Sequence, residues 1–455
     1  MLHFYIRRFI PLRFVLSALS LFIVLSNNFY AQEGDIVPDT TGEGVYAGTI
    51  ADSVFENTTS GEFTPSKGFT VFKTGLASLN ISAYALIRYV NQMPPYPTYE
   101  DHLGRQKVAD TRNDIWWHRT MIWFSGFFYT PKLRYTITVW GLSATNQVLL
   151  FGNLQYSLNS AFTFGAGIVP NLGTRSMTGP WPYFLASDRL LAEEFFRPGF
   201  TMGAWVTGAP LPKFRYWVMV GNNLSQLGIT ASQMSRYLST SASVWWMPTT
   251  GEFGPRGGNG DFEIHPDLAT RFGASFVHCR ESRQSNIGQA SSETQVKISD
   301  GQLFYETGAL ADGVTVTEAD FDEGSIDLGM KIEGLHLQVE YYFRYLSNFD
   351  AEGPSAGLST IPASIFDHGF YALASYEVIQ HALQMYASTS WIFDQFQRYP
   401  WEVLVGANWY PSGTRSLRFN LQAIHVEKSA ASSSFGFYTA GQSGLTISTG
   451  IDFLF

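Results

Sequence analysis

The sequence predicts an all-β fold, a transmembrane antiparallel β-barrel of sixteen strands, with eighteen as the alternative count. Three observations carry the expectation: a composition poor in charge and rich in aromatics, recurring segments of alternating polarity, and connections that alternate between long and short. Of 455 residues, 15% are charged and 16% aromatic, with 37 Phe, 23 Tyr and 12 Trp, whereas soluble domains carry about 25% charged residues. Mean hydropathy is nevertheless close to zero, unlike that of a bundle of apolar helices. Strands that show one face to lipid and the other to water reconcile the two facts. A large secreted β-sandwich shares the composition, but rarely so many alternating strands with aromatics gathered at their ends.

Charge and cysteine content exclude further classes. A net charge of −9 argues against a nucleic-acid partner, whose footprint is a basic patch. Cys279 is the single cysteine, which leaves no internal disulfide and no Cys-cluster metal site. The sequence lacks HExxH, GxSxG and P-loop patterns, and neither an enzyme nor a cofactor or metal is expected. The histidines, among them His118, His265, His278, His336, His368, His381 and His425, sit singly near strand ends and read as interfacial or lumenal polar groups.

At the N-terminus, Arg7, Arg8 and Arg13 precede the apolar run 14–25. Its length suits a signal-peptide core and falls short of the roughly 20 residues a spanning helix needs. Residues 1–31 are read as a signal peptide cleaved after Ala31, although Phe29 is bulky for its position; an uncleaved anchor is the alternative. Residues 32–68 are polar and acidic and are expected to form a flexible periplasmic leader. The domain 69–455 holds the barrel, with its first strand from about residue 76.

From there the alternation is repeated. Leu79, Ile81, Ala83, Ala85, Ile87 and Tyr89 interleave with Asn80, Ser82, Tyr84 and Arg88. Leu335, Leu337, Val339, Tyr341, Phe343 and Tyr345 interleave with His336, Gln338, Glu340 and Arg344. A period of two puts each set on one face of a strand. Strands are expected at 76–90, 115–129, 132–142, 147–156, 160–169, 200–208, 213–222, 237–247, 267–279, 325–333, 335–346, 368–377, 381–392, 400–410, 415–427 and 445–455. The connections then alternate between long outer loops and short periplasmic turns, as in outer-membrane barrels. Thr130-Pro131, Pro210-Leu211-Pro212 and Pro411-Ser412-Gly413 supply turn formers to the short set. Segment 248–266 is long for a periplasmic turn. Segment 280–324 has room for another hairpin near 302–310, which would make eighteen strands. The last strand turns Ile447, Ile451, Phe453 and Phe455 to one face. Its terminal aromatic, Phe455, is the expected signal for the barrel assembly machinery.

Several blocks resemble a known family. His368-Gly369-Phe370-Tyr371-Ala372-Leu373-Ala374-Ser375-Tyr376 resembles a strand block of the phosphate-selective porin O/P family. Val405-Gly406-Ala407-Asn408-Trp409-Tyr410-Pro411, followed by Leu417-Arg418-Phe419-Asn420-Leu421 and Ile424-His425-Val426, resembles a second block of that family. Gly334-Leu335 ahead of Val339-Glu340-Tyr341-Tyr342 resembles another. The likeness covers roughly the last third of the chain, and these are strand and turn signatures. The resemblance implies sixteen strands, a homotrimer in outer-membrane lipid, and passive diffusion of small polar solutes, anions such as phosphate among them. A general or cation-tolerant channel and a barrel enzyme or adhesin remain alternatives.

For a pore the inward charges matter most. With the apolar face outward, the inward basic residues are Arg88, Arg134, Arg215, Arg271, Lys331, Arg344 and Arg418, against Asp327, Glu340 and Glu402. Guanidinium groups suit phosphate and carboxylate because they donate two parallel hydrogen bonds. The long loop after the fifth strand, 170–199, is the candidate constriction. It carries Arg175, Arg189 and Arg197 against Asp188, Glu193 and Glu194, with Trp181, Tyr183, Phe184, Phe195 and Phe196 to pack it on the wall. Its balanced charges favour neither sign of solute.

Overall fold

The computed structural model describes residues 65–143, 147–226, 229–287, 295–432 and 436–455. The expected signal peptide and nearly all of the leader lie outside them. Sixteen strands form one closed antiparallel ring: β1 (Ser78–Met93), β2 (Asn113–Phe128), β3 (Thr130–Leu142), β4 (Gln147–Ser157), β5 (Thr163–Pro170), β6 (Phe200–Leu211), β7 (Phe214–Gly221), β8 (Ser239–Trp246), β9 (Ala269–Ser282), β10 (Thr315–Ile332), β11 (Leu335–Glu352), β12 (Ser364–Ile379), β13 (Leu383–Phe393), β14 (Trp401–Trp409), β15 (Leu417–Glu427) and β16 (Gly444–Leu454). Each strand pairs with its sequence neighbours, and β16 pairs with β1 from Leu445↔Met93 to Leu454↔Tyr84. The count is sixteen. In segment 280–324, Lys297 and Leu303 form only an isolated bridge, outside the ring.

The seam is extended at its lower end. Phe455 exchanges two 3.0 Å backbone hydrogen bonds with Ala83. Beyond it, Phe69–Lys73 continues along the same edge of β1, with Phe69 opposite Ile81 and Lys73 opposite Ser78. The Ser66 hydroxyl donates to the Phe455 carbonyl. An unpaired backbone group in hydrocarbon costs several kcal/mol, so this edge is covered along its length.

Short turns cluster at one end, and the residues with positive φ mark them: Tyr129, Lys213, Glu333 with Gly334, His381 and Gly413. Glu333 and Gly334 together have the left-handed pair of a two-residue hairpin turn. The outward face carries apolar side chains, Ile137, Leu150, Val218, Leu337, Val339, Val405 and Leu421 among them. Aromatic pairs flank this belt at both ends, Trp391 with Trp401 above and Trp409 with Phe419, Trp246 with Phe272 and Phe128 with Tyr135 below. No helix among the described residues is long and apolar enough to cross a membrane. A closed ladder with an apolar belt between aromatic girdles is a transmembrane barrel. The chain is an outer-membrane β-barrel protein.

The wall is uneven in height. The strands β5, β7 and β8 have 8 residues each, while β10 and β11 have 18. The upper part of β10, outside its expected span, turns Glu318, Asp320 and Asp322 outward and buries Val316, Ala319 and Phe321. Above the lipid the polarity of the two faces reverses, so the alternation there gives no lipid-facing signal.

The lumen departs from expectation, because it is packed. Its wall carries Tyr84, Leu86, Met121, Trp123, Trp140 and Trp205, all buried, and these join residues of 170–199 in continuous apolar clusters. A sixteen-stranded porin barrel ordinarily leaves an aqueous channel. Trp123→Ala should therefore destabilise the folded barrel by roughly 3–5 kcal/mol, read from the urea midpoint of the heat-modifiable band. A loss below about 1 kcal/mol would mean that the lumen is hydrated at that height.

Candidate functional site

Among the described residues, two segments fill the barrel and two cover its outer mouth. The longer of the filling segments, 171–199, descends from the outer end of β5 and returns to the outer end of β6. Its tip reaches the periplasmic ends of β14 and β15, where Asn408 Nδ2 donates to the Leu185 carbonyl at 3.0 Å and Arg418 donates to the Phe184 carbonyl. On the returning arm lies the short helix α1 (Leu191–Phe196). No side chain of the loop caps it. Instead the Leu191 N–H donates to Glu402 Oε1 of β14 at 2.8 Å. The Arg175 N–H donates to Glu340 Oε1 of β11 at 2.8 Å. Phe196 stacks on Tyr342, ring centroids 5.2 Å apart. At Gly173 a Cβ would come within 2.8 Å of Glu323 Oε1, so the loop touches the wall by its backbone.

From the periplasmic side, segment 247–268 rises to meet the tip. Arg175 Nη1 donates to Asn259 Oδ1 at 2.9 Å, the Asn259 N–H to the Tyr183 carbonyl at 2.9 Å, and Arg256 Nη1 to the Trp181 carbonyl at 3.3 Å. Lys331 Nζ donates to the Phe253 carbonyl at 2.8 Å. The unusual length of this connection is thus used inside the barrel. From the outer side, 295–314 and 436–443 cover the mouth: Arg344 Nη2 donates to the Lys297 carbonyl and Arg88 Nη2 to the Gly436 carbonyl, both at 2.9 Å. A small, open cleft lies near the periplasmic end, lined by Tyr84, Pro182, Tyr183, Tyr410, Arg415 and Arg418.

The expected basic residues lie on the inward face: Arg134 is half-buried, and Arg88, Arg215, Arg271, Lys331, Arg344 and Arg418 are buried. The expected excess of positive charge on the wall is not there. Buried inward carboxylates include Glu281, Glu323, Asp367, Glu377 and Asp452 as well as Asp327, Glu340 and Glu402, and Arg119 joins the basic set. Three arginines pair with a carboxylate on the adjacent strand: Arg271 with Asp327 at 2.9 Å, Arg344 with Asp367 at 2.7 Å and Arg418 with Asp452 at 2.7 Å. Within the loop, Arg189 lies 3.3 Å from Glu193 and Arg197 lies 3.0 Å from Glu194. Arg88 and Arg119 both reach across to loop Asp188, at 3.6 and 3.4 Å. Arg119 escaped the alternation because β2 bulges. Pairing steps from Leu86↔Arg119 to Ile87↔Trp117, which turns both His118 and Arg119 inward.

Among the histidines, His265 is held between carboxylates. Its Nδ1 meets Asp261 and its Nε2 lies 2.9 Å from Glu252. Burial alone would depress its pKa, but hydrogen bonds and charge from Asp261 and Glu252 carry it up to about 9. No His, Cys, Asp and Glu group among the described residues has the arrangement of a metal site.

The sequence matches no family model and no curated protein. Solved structures do resemble the fold. Outer-membrane-expressed OmpT of Vibrio cholerae aligns over 84% of this chain and 99% of its own, with 12% identity and a TM-score of 0.50. An anion-selective porin from Comamonas acidovorans aligns over 83% of this chain and all of its own, with 11% identity and a TM-score of 0.47. At 12% identity the likeness to OmpT bears on the barrel fold alone and says nothing about the solute.

Two outcomes follow from the docking geometry. Glu402 accepts from Leu191 N–H, Ser390 Oγ and Tyr438 OH, all within 2.8 Å. Glu402→Ala should cost roughly 1–3 kcal/mol per orphaned buried donor and raise amide exchange in 190–197, whereas Glu402→Gln keeps an acceptor and should lose less. His265 is raised from 6.5, so its stabilisation is complete below about pH 6.5 and lost as pH rises through about 9. Amide protection in 248–266, corrected for intrinsic exchange, should fall between pH 7 and 10.

Proposed function

We propose that the chain is an outer-membrane porin for passive diffusion of small hydrophilic solutes, with a preference for anions such as phosphate. The observation that carries this reading is the loop 171–199, folded into the lumen and docked on wall carboxylates and amides, with arginines of β1 and β2 facing it across the barrel. Such a loop sets which solutes pass, through size and the charges it leaves facing each other. Arg88 and Arg119 supply bidentate donors in a poorly solvated setting, where they attract anions more strongly than they would in water. The strand and turn blocks that resemble the phosphate-selective porins point the same way, and the homotrimer is part of that reading. Because the lumen is packed, conduction requires 171–199 or 247–268 to shift. A gated, solute-selective channel fits this better than a wide general pore.

The packed interior also favours a second reading, a sealed barrel that serves as a surface scaffold. Planar-bilayer recording separates them. The channel reading expects conductance steps, a reversal potential of anion sign in a KCl gradient, and block of chloride current by phosphate. Cation selectivity would overturn the anion preference, and absence of any conductance would favour the sealed barrel.

A further inference from the structure

Ion pairs inside the barrel join neighbouring strands, residues within the infolded loop, or the loop and the wall, where loop Arg175 also lies 3.6 Å from wall Asp327. Pairs between neighbouring strands are tight and rigid, at 2.7–2.9 Å for Arg418 with Asp452, Arg344 with Asp367 and Arg271 with Asp327. The contacts of Asp188 with Arg88 and Arg119 differ in distance and in origin. At 3.6 and 3.4 Å they exceed the 2.7–2.9 Å of a good charge-assisted hydrogen bond. Their acid also belongs to the infolded loop, whereas both guanidinium groups belong to the wall.

The two arginines are held in place independently of Asp188. Arg88 Nη2 donates to the Gly436 carbonyl at 2.9 Å and lies 3.0 Å from His118 Nε2, and its guanidinium covers the Phe437 ring at 4.8 Å. A guanidinium only donates, so His118 Nε2 is the acceptor. Arg119 lies between two indoles, 5.7 Å from Trp140 and 5.8 Å from Trp181. The bulge at His118 puts Arg119 beside Arg88 on the inner wall, and bulges commonly re-aim a side chain in this way. All three charged groups are buried, in apolar surroundings that strengthen each charge interaction.

We infer that Arg88 and Arg119 form a binding site for a small divalent oxyanion, and that Asp188 occupies it as an internal substitute. Two wall guanidinium groups share Oδ2 of one carboxylate there, whose Oδ1 accepts the Arg189 N–H at 2.9 Å and lies 4.0 Å from the Arg189 guanidinium, an anchorage that keeps it from either wall arginine at ideal distance. A free phosphate or dicarboxylate carries two charges and can approach both guanidiniums bidentately. Asp188 thus keeps the buried arginines compensated when no solute is present, and it competes with the solute for them. The inference deepens the porin reading and rests on it for the anion's route to the site.

Binding of inorganic phosphate to the full-length barrel in detergent tests this directly, with tryptophan fluorescence as readout because Trp140 and Trp181 flank Arg119. A competitor that occupies the site lowers apparent affinity by the fraction of time it is bound. Asp188→Asn should therefore bind phosphate about tenfold tighter than wild type, and Arg119→Gln should abolish the response in both backgrounds. Equal affinity in wild type and Asp188→Asn would overturn the inference, as would a phosphate response that survives Arg119→Gln. If Asp188→Asn does not give the folded, heat-modifiable band, Arg119→Gln alone decides. Succinate distinguishes the ligands: a response in the same order assigns the site to divalent oxyanions at large, and a response to phosphate alone restricts it to phosphates. Bilayer recording keeps the two readings apart. Phosphate binding with this mutant pattern but no conductance leaves the site standing and removes the channel. Conductance with no effect of Asp188→Asn on binding does the reverse.

Discussion

In hydrocarbon no water is at hand for a backbone N–H or C=O, and the architecture follows from that shortage. Each strand edge must be covered, so the sheet closes on itself. The critical stretch is the seam, where the two ends of the barrel chain meet without a connecting turn. There Phe455 bonds twice to Ala83 and Phe69–Lys73 continues the same edge along β1. Two pieces of chain far apart in sequence act as one strand. The terminal aromatic that stands out in the sequence is therefore the last link of a ladder, with its side chain on the lipid side of the rim.

Closure creates a second problem on the inside. A ring of sixteen strands encloses more space than its own side chains can fill. Here the chain fills it with its own connections, 171–199 from the outer end and 247–268 from the periplasmic end. Once water is displaced, every polar group on the inner wall needs a protein partner. Glu340 and Glu402 take loop N–H groups, Asn408 and Arg418 take loop carbonyls, and three arginines take carboxylates from the next strand. Much of what looks like pore charge in the sequence is the adhesive that holds the filling in place.

The strand pattern was legible because lipid imposes it. Where an apolar face had to meet hydrocarbon, as along Leu337, Val339 and Tyr341, alternation located the strands and their inward partners. The long and short connections then gave the strand count. Three features escaped for physical reasons. The upper half of β10 lies above the membrane, where Glu318 and Asp320 face water outside and Phe321 packs inside. The bulge at His118 breaks the period of two and hides Arg119. The packed lumen left a fainter trace, since Met121-Ile122-Trp123-Phe124 and Tyr216-Trp217-Val218-Met219-Val220 are apolar on both faces, as strands buried on both sides are. The count of inward charges stopped one residue short of Asp367 and passed over Asp452 on the last strand, and so missed the neutralisation of Arg344 and Arg418.

The distinction between wall pairs and loop pairs decides where a solute can act. An arginine bonded to the adjacent strand can release its partner only if the sheet deforms, and the sheet is fixed by its ladder on both sides. An arginine bonded to the infolded loop faces a partner anchored by side-chain hydrogen bonds and aromatic contacts, which can open locally without breaking the barrel. A ligand shifts an equilibrium only by binding one state better than the other. Among the described residues, the wall arginines Arg88 and Arg119 meet that condition with Asp188: the closed arrangement holds the acid at imperfect distance, and a free anion has no tether to satisfy. The same packing that seals the lumen thereby concentrates its response to solute at one point, on the two strands next to the seam.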